Sequence, residues 1–148
     1  MSLTPPLLAA MSGAKPRARR ERIPVSPESR LHTDVADLLR DHCLPGWNWT
    51  HINRKCKDAR EGAIMKRMGV NRGWPDFLLF SPFVSHQIHG LELKRPGEDM
   101  RLEQLAWCAW VEAHGGKYAV ASTMHEALMA LDDWGCLRIK YEPRTAAE

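Results

Sequence analysis

Asp76, Glu92 and Lys94, near the middle of the chain, have residue types and a spacing that suit metal-assisted hydrolysis. Alternate side chains of a β-strand point to the same face, so an extended Glu92-Leu93-Lys94 segment puts Glu92 and Lys94 together. Asp76 begins the preceding apolar run. A hairpin between the two segments would therefore bring the Asp76 carboxylate close to that of Glu92.

Two ionised carboxylates at short range repel each other unless a cation lies between them. Mg²⁺ suits this position, because it binds one or two carboxylates together with water and a substrate phosphate. A lysine beside the metal, here Lys94, can hold or deprotonate a water molecule that attacks phosphorus. This combination of residues favours metal-assisted hydrolysis of a phosphodiester bond.

The Glu-x-Lys spacing also occurs in ordinary surface ion pairs at the edge of a strand, which contribute little. Glu92 and Lys94, however, lie among apolar residues in a segment that the pattern places centrally. An unpaired charge would be costly there. The context therefore favours a functional set over a surface pair.

The strands that would position these residues alternate with helices. Asp76–Phe80 is an apolar run that follows Gly73-Trp74-Pro75, and 87–94 is its predicted hairpin partner. Ser26 and Pro27 are typical of a helix start, and this helix should end before Pro45-Gly46. The other predicted elements are strands at 47–52 and 118–121, a short helix around 60–68, and helices at 100–114 and 123–134. The α-β-β-β-α-β-α order of the main elements predicts a mixed α/β fold.

Four segments match the motifs of one nuclease family in order and spacing: Gly73-Trp74-Pro75-Asp76, Gly90-Leu91-Glu92-Leu93-Lys94, Gln104 and Tyr118-Ala119-Val120. With them, the chain from Glu28 to Trp134 resembles a stand-alone VRR-NUC domain, the virus-type replication-repair nuclease branch of the PD-(D/E)XK superfamily. The resemblance implies a PD-(D/E)XK nuclease-like mixed central sheet flanked by helices.

The resemblance also implies roles for individual residues. Asp76, Glu92 and the Leu93 carbonyl would be ligands of Mg²⁺, for which Mn²⁺ could substitute. Lys94 would position the nucleophilic water, and Gln104, on the following helix, corresponds to a glutamine of the family motif near the active site. An ordinary exposed helix position is the alternative for Gln104.

The family carries a further acidic residue on its first helix, where it would be catalytic and bind the metal. At about 100° per residue, Glu28 points to the side of the apolar residues Leu31 and Val35, whereas Asp37 points away. Glu28 is therefore the predicted ligand. His32, one turn later, is the alternative, and favourable placement in the first helical turn is the alternative role of Glu28.

The net charge of +3 is distributed unevenly along the chain. Residues 1–25 contain five cations and one acid, a net charge of +4, and lack apolar periodicity, which predicts a disordered basic arm. Residues 51–72 have a net charge of +5. The seven cations of this basic collar are Arg54, Lys55, Lys57, Arg60, Lys66, Arg67 and Arg72. We expect them to contact a nucleic-acid backbone, although charge runs are also common on solvated faces.

The resemblance implies a metal-dependent, structure-selective endonuclease for branched DNA, with Holliday junctions as the preferred substrate. Small stand-alone members of the family resemble junction resolvases. A four-way junction needs two paired cuts, so a homodimer is expected. The alternatives are a flap- or duplex-specific nuclease and a non-catalytic nucleic-acid-binding protein on a nuclease fold.

Length and composition complete the expectations. The 148 residues suit one domain, assigned to 26–141, with a C-terminal tail at 142–148. No apolar run approaches the roughly 18 residues of a membrane span, and a charged leader is lacking, so we expect a cytoplasmic protein without a membrane partner. The four cysteines lack metal-ligand spacing and are predicted to be free thiols.

Overall fold

The computed structural model of the chain describes residues 26–52, 56–83 and 85–140. The predicted arm at 1–25 and the predicted tail at 142–148 lie outside the described residues. The elements in chain order are α1 (Pro27–His42), β1 (Asn48–His51), α2 (Ala59–Arg67), β2 (Phe77–Phe80), β3 (Ile88–Leu93), α3 (Leu102–Ala113), β4 (Tyr118–Ala121) and α4 (Met124–Asp133). The predicted mixed α/β class is confirmed, and the short helix expected around 60–68 is α2.

Short polar side chains begin three of the helices. Ser26, Asp58 and Thr123 each accept a hydrogen bond from a backbone N–H in the first turn of the helix that follows, at 2.8–3.2 Å. Such N-caps satisfy a donor that has no partner within the helix. Pro27 occupies the first turn of α1, where its missing N–H costs nothing.

The sheet has the strand order β1-β2-β3-β4. β1, β2 and β3 are antiparallel neighbours, whereas β4 runs parallel to β3 and is reached through the crossover helix α3. The predicted hairpin is confirmed as the β2–β3 pair, in which Phe77 lies opposite Leu91. Extending this register by one residue aligns Asp76 with Glu92. The sequence separation of sixteen residues is thus closed by the hairpin.

The main hydrophobic core lies between one face of the sheet and the helices α1 and α4. Val35 and Leu39 of α1, Phe77 and Leu91 of the sheet and Leu131 of α4 are all at most 1% exposed. Glu92 alternates with Leu91 and Leu93 and therefore points to the other face, where Gln104 of α3 contacts it. Glu92 and Gln104 thus lie on the face of the sheet opposite the main core.

The structure differs from the sequence prediction at β4, which was expected to be a buried strand. Only Ala121 is buried, and Val120 is 41% exposed. The reason is the strand order, because β4 forms an edge of the sheet and has a hydrogen-bonded neighbour on one side alone. α3 is also largely exposed, with Gln104 and Val111 as its buried residues.

The four cysteines are free thiols, as their spacing predicts. Cys136 belongs to the core, and burial raises the pKa of its thiol to about 12, so it stays protonated. Within the described ranges, no helix combines the length and the apolar character needed to cross a lipid bilayer.

Candidate active site

Asp76 is held at the start of β2 by contacts to both neighbouring strands. Its carbonyl accepts the N–H of Ile52, just beyond β1, at 2.7 Å. Its Oδ2 accepts the N–H of Leu93, at the end of β3, also at 2.7 Å. The carboxylate is therefore fixed next to the Glu92-Leu93-Lys94 segment, as the hairpin argument predicts.

Glu92 is a buried acid in which one carboxylate oxygen is hydrogen-bonded and the other has no hydrogen-bond partner among the described residues. Its side chain is 5% exposed. Oε1 accepts a hydrogen bond from the Gln104 amide and lies 3.4 Å from the Lys94 Nζ. Oε2 is buried and has no hydrogen-bond partner among the described residues. Leaving such an acceptor unpaired costs about 1–3 kcal/mol, and a cation would remove that cost.

Lys94 lies between a buried and an exposed carboxylate. Its Nζ is 3.4 Å from the Glu92 Oε1 and 3.5 Å from the Glu98 Oε1, and the residue is 7% exposed. Its backbone N–H donates to the Ala121 carbonyl, which anchors it beside β4. The amino group is thus held in place at the wall of the cleft rather than extended into solvent.

Both carboxyl groups are harder to ionise than usual. Burial, followed by the nearby charge of Asp76, raises the pKa of Glu92 to about 7, although Lys94 and Gln104 act in the opposite direction. Burial also raises the pKa of Asp76, against the hydrogen bond from Leu93 and the neighbouring histidines. A divalent cation would offset both effects, because it favours the ionised forms. Oxygen donors of this kind match the ligands that Mg²⁺ prefers.

Glu28 lies in the same cleft but is engaged elsewhere. Its carboxylate forms an ion pair with Arg95 at 2.7 Å, and its side chain is 43% exposed. His32, the alternative on the same helix, approaches Asp76 instead, with ligand atoms of both residues within 4.8 Å of each other. The assignment of Glu28 as a ligand stays a prediction.

His51 is a cleft residue that the sequence reasoning missed. It ends β1 opposite Phe77, and its Nε2 lies 2.9 Å from the Nδ1 of His32. Burial and the neighbouring His32 lower the pKa of His51. The aromatic and β-branched pattern of residues 47–52 indicates only a strand. The observation that identifies His51 is its position: it is a polar residue at the end of the strand that pairs with β2, next to Asp76.

The cleft has a volume of about 1380 Å³. It is lined by all of the predicted catalytic and metal-binding residues, which are Glu28, Asp76, Glu92, Leu93, Lys94 and Gln104. Lys66 and Arg72 of the basic collar line it. Lys57, Arg60 and Arg67 lie in or beside α2 and are not among the lining residues, and Arg54 and Lys55 lie outside the described residues.

Trp74, at the edge of the cleft, packs on Trp107 of α3 with ring centroids 4.2 Å apart. This contact fits the role of a packed turn residue. The arrangement as a whole offers two carboxylates with raised pKa values, a fixed amino group and an open cleft with basic residues. Comparison with protein-family models, curated proteins and solved structures finds no match for the chain.

Proposed function

We propose that the protein is a divalent-metal-dependent endonuclease that hydrolyses phosphodiester bonds in branched DNA. The observation that carries this proposal is the buried Glu92 carboxylate, which has an orphaned oxygen, lies across the hairpin from Asp76 and contacts Lys94. The ion pair with Lys94 and the hydrogen bond from Gln104 both use Oε1, which leaves Oε2 without a hydrogen bond from the described residues. An acid held with one oxygen unsatisfied at a cleft wall suits a ligand that arrives from solvent.

The residues divide into metal-binding and positioning roles. Asp76, Glu92 and the Leu93 carbonyl would hold Mg²⁺ or Mn²⁺, which when bound supplies a Lewis acid for the phosphate and the charge on the leaving oxygen. Lys94 would hold the attacking water through its Nζ, and its positive charge would stabilise the hydroxide that forms when the water gives its proton to solvent. Gln104 fixes the Glu92 carboxylate by donating its amide N–H to Oε1.

A PD-(D/E)XK nuclease fold is part of the same proposal. Its support is the position of Asp76 and Glu92 on adjacent antiparallel strands, followed by α3 with Gln104 and the parallel strand β4. The resemblance to VRR-NUC domains implies a mixed central sheet flanked by helices, and these positions are compatible with it.

DNA as substrate is supported by the charge around the cleft. Lys66, Arg72 and Arg101 line it together with the carboxylates. Cations at such positions bind phosphates and give affinity without base readout, as a structure-selective enzyme requires.

A homodimer follows from the proposed substrate. The described part of the chain contains one Asp76–Glu92–Lys94 set, and a four-way junction must be cut twice. Two copies related by a twofold axis would supply two sites. Light scattering on the purified protein should give twice the chain mass of 16.9 kDa. A monomer mass both with and without junction DNA would contradict this part of the proposal.

The proposed reaction is tested by cleavage of end-labelled four-way junction, flap, splayed-arm and linear duplex DNA in Mg²⁺ and in EDTA. We expect metal-dependent cutting with the junction as the best substrate. Asp76→Asn and Lys94→Ala should lower the rate by about 100-fold or more while leaving junction binding largely intact.

Lys117→Ala is the matched control, because Lys117 forms an exposed ion pair with Asp133 and lies outside the cleft lining. It should cut like the unmodified protein. Equal rates for Lys94→Ala and Lys117→Ala would exclude the proposed role of Lys94. Binding without metal-dependent cutting of any substrate would favour a non-catalytic nucleic-acid-binding protein.

A further inference from the structure

Three side chains from three different elements converge beside the proposed catalytic set. They are His32 of α1, His51 of β1 and Asp76 at the start of β2. One ligand atom from each lies within 4.8 Å of the other two. All three residues line the same cleft, so the cluster is accessible to a small ion.

The imidazole rings are held in place by aromatic contacts. The His51 ring centroid is 4.7 Å from that of Phe77, and the His32 ring stacks on the same phenyl group at 6.3 Å. Phe77 is fully buried and belongs to the core. Two rings fixed against a rigid side chain keep their nitrogens directed at one another, which limits the reorganisation needed to bind an ion.

The close approach of the two ring nitrogens is itself informative. The His32 Nδ1 and the His51 Nε2 are 2.9 Å apart, so one must donate a proton to the lone pair of the other. The same two nitrogens, when both are unprotonated, offer lone pairs to a common acceptor. Asp76 adds a carboxylate whose Oδ2 is already oriented by the Leu93 N–H, the kind of outer contact that fixes a ligand.

The chemical class of the ion follows from the donors. Neutral imidazole nitrogen suits Zn²⁺, Co²⁺ and Fe²⁺, whereas Mg²⁺ and Mn²⁺ suit oxygen ligands. Three protein ligands with one or more open positions are typical of metal sites that also accept water or substrate. We propose that His32, His51 and Asp76 form a binding site for a divalent transition-metal ion, separate from the Glu92 and Leu93 ligands expected for Mg²⁺.

This site rests on the proposed function in one respect, because Asp76 is both a member of the histidine cluster and a predicted ligand of the catalytic Mg²⁺. Its occupancy would therefore affect the proposed nuclease centre directly. Metal binding itself needs neither DNA nor catalysis, so the two proposals can fail separately.

The test is calorimetric titration of metal-free full-length protein with Zn²⁺, in parallel with Co²⁺ titration followed by visible absorption. We expect one high-affinity ion per chain. His32→Gln and His51→Gln should each weaken binding by about 100-fold, and Asp76→Asn should do the same. Far-UV circular dichroism checks that each variant is folded.

A matched control makes the result specific. His86→Asn removes an exposed histidine from the turn between β2 and β3, at the other end of these strands. It should bind Zn²⁺ like the unmodified protein. Equal affinity in the His32, His51 and His86 variants would overturn the site.

The outcomes for the two proposals are distinguishable. Zn²⁺ binding that depends on both histidines, without cutting of any DNA in any metal, would leave the site standing and remove the nuclease. Mg²⁺-dependent cutting with Zn²⁺ affinity unchanged in the histidine variants would do the reverse.

Discussion

Glu92 is the residue at which stability and the proposed function conflict. Its carboxylate is buried with one oxygen unpaired, and its pKa is raised to about 7. A carboxyl group whose pKa is raised in the folded state contributes its full stability at pH values below the pKa that the same group has in the unfolded chain. That contribution is lost as pH rises through the folded-state value, because the buried group must then ionise.

Glu92→Gln should therefore stabilise the metal-free protein at alkaline pH. We expect the free energies of unfolding of Glu92→Gln and the unmodified chain to be similar at pH 5. At pH 8 in EDTA, the variant should be more stable by about 2 kcal/mol, since one pKa unit corresponds to about 1.4 kcal/mol. Urea unfolding at both pH values measures this difference.

Glu112→Gln, at an exposed position on α3, is the control for the loss of one negative charge. It should not change the pH dependence. The electrostatic description of Glu92 would be wrong if Glu92→Gln followed the same pH curve as the unmodified protein.

Single residues also mark where sequence reasoning ends. The approach of Asp76, Glu92 and Lys94 could be predicted, because strand alternation and a short hairpin are local patterns, whereas Gln104 was expected near them only from the family resemblance. The ion pair of Glu28 with Arg95 could not, since its partners are 67 residues apart and helical spacing gives only a direction. His51 was missed because its position opposite Phe77 depends on the pairing of β1 with β2.

At the scale of elements, the turn before β2 determines where Asp76 lies. Gly73 has a φ of +91°, and a Cβ placed there would lie 2.5 Å from the Glu103 carbonyl oxygen. The turn therefore packs directly against the first turn of α3. Gln104 is the next residue of that helix, and Asp76 follows the turn. The contact between Gly73 and Glu103 therefore fixes the position of Asp76 relative to Gln104.

Gly73→Ala should disturb stability and cutting together. We expect a loss of about 2 kcal/mol or more, since both the left-handed backbone and the steric overlap oppose a side chain. The turn must move away from α3, so the cleavage rate should fall as well. Urea unfolding and junction cleavage measure the two effects.

Gly69→Ala is the control that separates the effect of the left-handed backbone from the effect of the close contact with α3. Gly69 also has a positive φ, +86°, but a Cβ placed there would have no neighbouring atom within 4 Å outside the adjacent residues. It should lose only about 1 kcal/mol and keep its activity. Equal losses in both variants would show that the contact with α3 is unimportant.

The elements themselves were largely predictable from the sequence. Apolar runs, the N-cap Ser26 and the glycine and proline punctuation place every helix and strand within a few residues of its observed bounds. The exposure of Val120 was not predictable, because Tyr118–Ala121 has the composition of an interior strand. Only the strand order shows that β4 lies at the edge.

At the scale of the whole molecule, charge is separated along the chain. The arm at 1–25 carries a net charge of +4 and the collar at 51–72 a net charge of +5, so the remaining residues sum to −6. Two members of the collar, Lys66 and Arg72, line the cleft. This distribution is readable from the sequence, whereas the place of each cation relative to the cleft is not.

Deletion of residues 1–25 should weaken DNA binding without abolishing metal-dependent cutting. Each lost phosphate contact lowers the slope of log affinity against log salt by about 0.9. We therefore expect a shallower salt dependence, measured by fluorescence anisotropy on a labelled junction. A full-length variant with the five arm cations replaced by alanine should behave like the deletion. An unchanged salt slope in both would exclude a DNA contact by the arm.

The central claim is that Glu92 belongs to the centre that hydrolyses DNA, and single-turnover cleavage of a four-way junction by Glu92→Gln in Mg²⁺ tests it most directly. We predict metal-dependent cutting by the unmodified protein and a loss of about 1000-fold or more in the variant, with junction affinity largely retained. Undiminished cutting by Glu92→Gln would contradict the proposed mechanism.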